Sequence, residues 1–311
     1  MATRVIDLKE GDRLNIRLLV FGLTKGVTNS GAPYLSLVLQ DCTKQIEAKL
    51  WDVKPEVEKE LVVGRVFDFE MEINRYRGVL QAKVIRVLPI NQAEIDINAY
   101  LSQSSISKEV LHKNIEDGVN SINNTNLALL VNALLNYYGN DFYDYPAASK
   151  IHHNFIGGLA THVSGMLKLA YAIAEIYPLV NRDYLVAGVI VHDLGKIEEL
   201  TSPIVTEYST TGKLLGHISI LDARLLEVAK QLHLEDSEEL LILRHMVLAH
   251  HGQYEYGSPV LPETVEAEML TFVDNIDARI NIMDKALADI KPGEFTQKVF
   301  ALDNRCFYKH K

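Results

Sequence analysis

The sequence predicts two domains of different class: an N-terminal all-β barrel over residues 1–90 and an all-α domain over residues 106–311, joined by a linker at 91–105. Three observations carry this. Apolar and polar residues alternate with period two from residue 12 to 89, whereas from about residue 124 the apolar positions recur at the three-to-four spacing of helices. Charge divides at the same place, with 14 Lys and Arg against 12 Asp and Glu in residues 1–90 and 17 against 29 in the remainder. Histidine divides more sharply still: all 11 follow residue 111, and nine lie between His152 and His251. A chain of 311 residues suffices for two domains, each with its own core.

In the first part, residues 12–24, 34–40 and 45–51 read as strands, the last two joined by the turn Asp41-Cys42-Thr43-Lys44. Residues 54–61 read as a short helix. Residues 65–74 and 78–88 then form a hairpin closing across Arg75, Tyr76, Arg77 and Gly78. Five strands with a helix between the third and fourth is the order of the OB-fold, a Greek-key barrel whose common ligand is an oligonucleotide. Its aromatic residues lie among Lys25, Lys44, Lys49, Arg65, Arg75 and Arg77, the mixture a single-strand groove uses for stacking and phosphate contact. Phe67 and Phe69 share a strand face and are assigned to the core; Trp51 is left open between core and surface. Tyr34, Arg75, Tyr76 and Arg77, at turn and hairpin-tip positions, are the candidate oligonucleotide contacts. The run GAPYLSLVLQDCTKQIEAKLWD from Gly31, followed by GVLQAKVIRV from Gly78, resembles the OB-fold domain that precedes an HD domain in bacterial exoribonucleases of the YhaM type.

Residues 91–105 lack a strong periodic signal. Beyond them, residues 124–138 place Leu127, Leu130, Val131, Leu134, Leu135 and Tyr138 on one stripe, and residues 159–177 do the same with Val163, Met166, Leu167, Ala170, Ile173 and Ala174. Further helices are expected at 182–192, 218–233, 237–251 and 263–290.

The dipeptide His192-Asp193 means little alone, since composition gives roughly 0.6 such pairs by chance. Its context is informative: an apolar helix ends in His192-Asp193-Leu194-Gly195-Lys196, and ionisable groups that follow a buried run need partners. The chain offers His162 on an upstream helix, His217 after a glycine-containing turn, His250-His251 before Gly252, and Asp274 in FVDNIDARI. The order H…HD…D resembles the HD superfamily of metal-dependent phosphohydrolases, and His217 with His250-His251 resembles its two-metal members. The resemblance implies that His162, His192, Asp193 and Asp274 hold one divalent ion, and that Asp193 bridges to a second held by His217, His250 and His251. Imidazole and carboxylate donors suit Mn²⁺, the expected ion, or Fe²⁺, Ni²⁺ and Zn²⁺, better than Mg²⁺. Two ions so held would clamp a phosphate. Asp193 is thus the central catalytic residue, and Lys196 is placed to offset charge developing on the phosphoryl group. His153 is a candidate substrate contact, with a structural turn as its alternative, and Asp277 is a candidate to orient a ligand, with an ordinary solvated carboxylate as its alternative. His112, His233, His245 and His310 are assigned ordinary packing or surface roles.

The combined resemblance implies a hydrolase that removes nucleotides from the 3′ end of single-stranded RNA, with single-stranded DNA as a second polymer, releasing nucleoside 5′-monophosphates. An HD phosphohydrolase acting on free or cyclic nucleotides and a non-catalytic RNA-binding protein are the alternatives. Charges interleaved through the first thirteen residues leave no apolar signal segment, and no apolar run reaches the roughly 20 residues of a membrane span, so a cytoplasmic protein without a membrane partner is expected. Assembly into a homo-oligomer is left open. Cys42 and Cys306 are too few for a disulfide framework and are expected to be packing residues in a reducing compartment.

Overall fold

The computed structural model describes residues 3–311 except 29, 77, 103, 148–154, 205–206 and 289. The chain divides into two compact units, residues 1–103 and 104–311.

The first unit is a closed barrel. Strands β1 (Arg13–Val27), β2 (Pro33–Gln40), β3 (Gln45–Trp51), β4 (Val66–Tyr76) and β5 (Val79–Leu88) are joined in the order β1-β2-β3-β5-β4, with β4 returning to β1. Helix α1 (Pro55–Glu60), which starts on a proline at its first position, connects β3 to β4. The β3–β5 pair is parallel and the others antiparallel, the connectivity expected of an OB-fold. Period-two alternation points Leu35, Leu37, Leu39, Ala48, Leu50, Phe67, Phe69, Met71 and Ile73 inward, where all are buried. Closure pairs every strand on both sides, so the sheet has no free edge. The segment expected as a linker carries two 3₁₀ turns, Gln92–Glu94 and Ile97–Tyr100, tied to the barrel. The Gln92 side chain accepts from Val66 N (3.1 Å) and donates to Val66 O (2.7 Å), and Gln40 Nε2 donates to Tyr100 O (3.0 Å).

The second unit is helical: α2 (Lys108–Asn120), α3 (Thr125–Tyr138), α4 (Asp141–Asp144), α5 (Gly158–Ile176), α6 (Arg182–Val191), α7 (Lys196–Glu199), α8 (Thr210–Gln231), α9 (Glu238–Ala249) and α10 (Val265–Ala288). Helix α6 is the hub. Leu185 to Val191 are all buried, as an element apolar on every face must be, and α2, α3, α5, α9 and α10 all pack around it. Side-chain caps start several of these helices: Ser107, Asn124, Asn181, Ser209 and Ser237 each accept from a backbone N–H of the first turn. Helix α2 was not singled out from the sequence, because its buried stripe of Leu111, Ile115 and Val119 is narrow and the helix is otherwise largely polar. Among the described residues no helix is long and apolar enough to cross a membrane. The cysteines depart from expectation: both are exposed, Cys42 in the β2–β3 turn and Cys306 in the C-terminal segment, positions with no core to enter.

Candidate metal centre

The hub helix delivers the first group. His192 caps the C-terminal end of α6 and Asp193 follows it, so both sit where the most buried helix ends. His162 projects from the second turn of α5. Ligand atoms of His162, His192 and Asp193 lie within 4.8 Å of one another, all from buried residues. A second group, His217, His250 and His251, satisfies the same limit. His250 caps α9, His251 follows it, and His217 lies inside α8 directly after a break at Gly216. The rings make a continuous chain, with centroids 5.5 Å apart for His162 and His192, 5.2 Å for His192 and His250, and 5.7 Å for His250 and His217.

Each imidazole is aimed by its Nδ1. His192 Nδ1 lies 3.0 Å from Val189 O, His250 Nδ1 2.7 Å from Val247 O, and His251 Nδ1 2.7 Å from Tyr256 O. A carbonyl only accepts, so Nδ1 carries the proton and Nε2 presents a lone pair to the interior. His217 Nδ1 makes the same bond to Glu199 Oε1 (3.0 Å) and His162 Nδ1 to Asp277 Oδ2 (2.7 Å). Five histidines with one nitrogen fastened to an oxygen and the other turned inward is the arrangement of metal-binding imidazoles.

Asp193 stands between the groups. Its Oδ2 lies 3.4 Å from His192 Nε2, while its Oδ1 lies 3.6 Å from His217 Nε2 and 3.7 Å from His250 Nε2. Lys196 Nζ, 2.6 Å from Asp193 Oδ2, fixes the carboxylate. Burial would raise the Asp193 carboxyl, but Lys196 and the surrounding histidines hold it well below the usual range, so it is ionised. Asp274, on α10, reaches the first group from the other side, with Oδ1 3.1 Å from His162 Nε2. Burial lowers the His162 imidazole, yet its bonds to Asp274 and Asp277 override this and carry it up to about 9, so without an ion the ring is charged and its Nε2 would have to give up a proton, now held against Asp274, to ligate a cation. Burial also pushes the His250 imidazole far down, aided by neighbouring His251 and His192, so that ring is neutral and able to donate its lone pair.

The donor set fits a divalent cation. His192 Nε2, Asp193 Oδ1, His217 Nε2 and His250 Nε2 are buried without a hydrogen-bond partner among the described residues. An unsatisfied buried polar atom costs about 1–3 kcal/mol, and four facing one space are tolerated where a cation satisfies them together. Nitrogen and carboxylate donors match borderline divalent ions.

The expected site residues therefore divide. His162, His192, Asp193, Lys196, His217, His250, His251 and Asp274 are brought together. On the barrel, Tyr34 lies opposite Trp51 in the β2–β3 register, ring centroids 5.0 Å apart, with Lys49 Nζ 5.2 Å from the Tyr34 ring centre. Tyr76 is exposed near the β4–β5 tip, whereas Arg75 is engaged by Glu10 Oε2 (3.1 Å) and Gly78 O (2.7 Å). Arg77 and His153 fall outside the described residues. His112 stacks on Tyr143, and His245 Nε2 accepts from Glu263 N (2.9 Å), both structural roles.

Sequence reasoning missed Glu199 and left Trp51 undecided. Glu199 Oε1 accepts from both the backbone N and Nδ1 of His217 (3.0 Å each), but in GKIEEL it reads as one more solvated helix carboxylate. Trp51 is 44% exposed at a strand end, where alternation alone does not decide between core and surface.

Among solved structures, the second OB-fold domain of replication protein A from Methanococcus maripaludis, determined in solution, is similar at 19% identity, covering 29% of this chain and 96% of that chain with a TM-score of 0.25. A crystal structure of a domain of the same replication protein is similar at 20% identity, covering 30% and 99% with a TM-score of 0.26. Residues 159–279, which bear every ligand candidate described above, match the HD domain family. The chain thus carries, behind a five-stranded OB-type barrel, an HD domain, the module of a superfamily of metal-dependent hydrolases.

Proposed function

We propose that the protein is a metal-dependent 3′-to-5′ exoribonuclease that degrades single-stranded RNA, and single-stranded DNA as a second polymer, to nucleoside 5′-monophosphates. The observation that carries the reading is Asp193 turning one oxygen to each imidazole group while Lys196 fixes it. His162, His192, Asp193 and Asp274 would hold one ion, and Asp193, His217, His250 and His251 the other, with Mn²⁺ the expected metal. When bound, such ions supply positive charge to a phosphate and lower the pKa of a coordinated water.

The chain's own residues prepare this chemistry. Lys196 orients Asp193 and adds positive charge where phosphoryl oxygens gather negative charge. Asp277 and Glu199 fix the orientation of the His162 and His217 rings through Nδ1, so that Nε2 of each faces the centre. On the barrel, the Tyr34–Trp51 pair offers a stacking surface, and Lys49 beside it, in register with Lys83 on β5, offers phosphate contacts. These cations and any bound ions offset the acidic excess of the rest of the chain, which alone would repel a polyanion. Polarity and product rest on the resemblance to YhaM-type enzymes.

The test is time-resolved digestion of a 5′-labelled single-stranded RNA with Mn²⁺, with Asp193→Ala and chelator as controls. A ladder shortening toward the label and abolished by both controls is expected. Intact RNA with phosphate released from mononucleotides would replace the nuclease by a nucleotidase.

A further inference from the structure

The turn after His251 holds two tyrosines out of the core. Tyr254 to Tyr256 form a 3₁₀ turn between Gly252 and Gly257, both at positive φ (77° and 97°). Gly252 fits because a Cβ there would stand 2.5 Å from Thr271 Cγ2 on α10. The turn is closed by Tyr256 N to Gln253 O (3.2 Å), Gly257 N to Tyr254 O (3.0 Å) and Ser258 N to Gln253 O (3.3 Å), and Ser258 beyond it is buried. It is fastened to the second imidazole group by the Tyr256 carbonyl, 2.7 Å from His251 Nδ1. On a segment so constrained, the two side chains are nonetheless 61% and 62% exposed.

Charge narrows what such a surface recognises. The segments flanking the second group, 207–217 and 252–261, contain one cation, Lys213, and two acids, Glu207 and Glu255. They offer phosphate little beyond what bound ions supply. Two exposed aromatic faces beside a centre for phosphodiesters suit the flat, uncharged part of a nucleotide, since every nucleobase has a π-face on which tyrosine stacks. We propose that Tyr254 and Tyr256 form a stacking subsite for the nucleobase adjoining the scissile phosphodiester. The Tyr256 carbonyl keeps this subsite in fixed relation to His251. This inference rests on the nuclease reading, and it makes base stacking at the centre, separate from the barrel, a determinant of KM.

The experiment uses the full-length, Mn²⁺-loaded protein with an oligoadenylate and with the same oligomer carrying abasic residues at its 3′ end. Tyr254→Ala/Tyr256→Ala is expected to raise KM on the oligoadenylate roughly ten-fold or more, with a smaller change in kcat. On the abasic oligomer the difference between wild type and variant should disappear. Tyr256→Trp with Tyr254 intact should keep KM close to the wild-type value, as a role in stacking requires. Tyr177→Ala is the control: that exposed residue lies 15 positions beyond His162, roughly 22 Å along α5. An equal loss on both substrates, or no loss on either, overturns the subsite. Should wild type cleave neither oligomer, the nuclease reading fails, and calorimetric titration with adenosine 5′-monophosphate decides the subsite alone. Binding weakened ten-fold in the double variant would keep it; equal or absent binding would overturn it.

Discussion

The two imidazole groups have similar donors and different foundations. His192 and His250 share one device, a ring at the C-terminal cap of a helix bonded to the carbonyl three residues back. Around His192 the rest stands on regular secondary structure, with His162 within α5 and Asp274 and Asp277 one turn apart on α10. Around His250 the rest stands on interruptions. His217 follows Gly216, whose φ of 71° and ψ of 154° belong to glycine alone, and His251 precedes Gly252 at φ 77°. Gly195 lets the turn after Asp193 lie against the His217 carbonyl, and Gly212 lets α8 lie against the Glu199 carbonyl, approaches that a Cβ would block. Helix faces place one group; helix ends and glycine contacts place the other. The second group should therefore be separable by mutation, and only Asp193 should belong to both.

The largest effect should come from removing that shared element. Asp193→Asn is expected to lose both ions, read by metal analysis of the dialysed protein, and to lower turnover roughly a thousand-fold, the several kcal/mol a metal centre supplies. Retention of one ion at full occupancy would show that Asp193 serves one group alone.

Next come the glycines. Gly216→Ala forces a side chain into a conformation costing about 1–3 kcal/mol, and Gly195→Ala drives a Cβ into the His217 carbonyl. Each should halve the metal content by emptying the His217 side while the His162 side stays filled. Gly165→Ala is the counterpart on the first group. There the obstacle is Asp277 Oδ1, 2.5 Å from the added carbon, a side-chain tip that can swing aside, so loss of its bond to His162 should weaken the first ion without emptying its site. If Gly216→Ala and Gly165→Ala depress both ions alike, the two foundations are not independent.

Smaller again are the carboxylates behind the rings. Asp277→Asn should weaken the first ion and Glu199→Gln the second, each by roughly 10- to 100-fold in affinity, the usual weight of such partners. Calorimetric titration of the metal-free proteins should show the two losses in different binding steps. Losses in the same step would mean that the rings do not act on separate ions.

This division also marks what the sequence made legible. The barrel could be read strand by strand because inward positions such as Leu35, Leu37 and Leu39 alternate without a break. The helices bearing His162 and His192 announced themselves by long apolar stripes, and His192-Asp193 stood out as charge at the end of a buried run. Asp277 could be placed because α10 puts it one turn from Asp274. Glu199 could not, since its role depends on a short helix, α7, folding back against α8 through a close approach at Gly212. Periodicity records which face of an element is buried; it does not record where backbones of distant elements touch. The break before His217 was visible as glycine, and α8 is interrupted there, its two helical stretches meeting at Gly216 with φ 71° and ψ 154°.

Helix α7 links the two foundations, because it carries both Lys196, which holds Asp193, and Glu199, which holds His217. Four residues cannot sustain a helix alone. Glu198 fastens it: its carboxylate takes Arg224 Nε and Nη2 at 2.9 Å each and Tyr138 Oη at 3.0 Å. Arg224 holds the Glu198 carboxyl below its ordinary value of 4.5, with burial opposing and Tyr138 assisting. A carboxyl depressed by folding adds stability that is complete above the ordinary value and disappears as pH falls through the lower folded one. Glu198→Gln should therefore lower Tm by about 2–4 °C at pH 7, the shift that roughly 1 kcal/mol makes in a unit of this size, and the gap from wild type should close toward pH 3. Thermal melts of the metal-free proteins across that range provide the reading. Because α7 serves both groups, metal affinity in Glu198→Gln should fall slightly and equally for the two ions; a loss confined to the second would assign the helix to His217 alone.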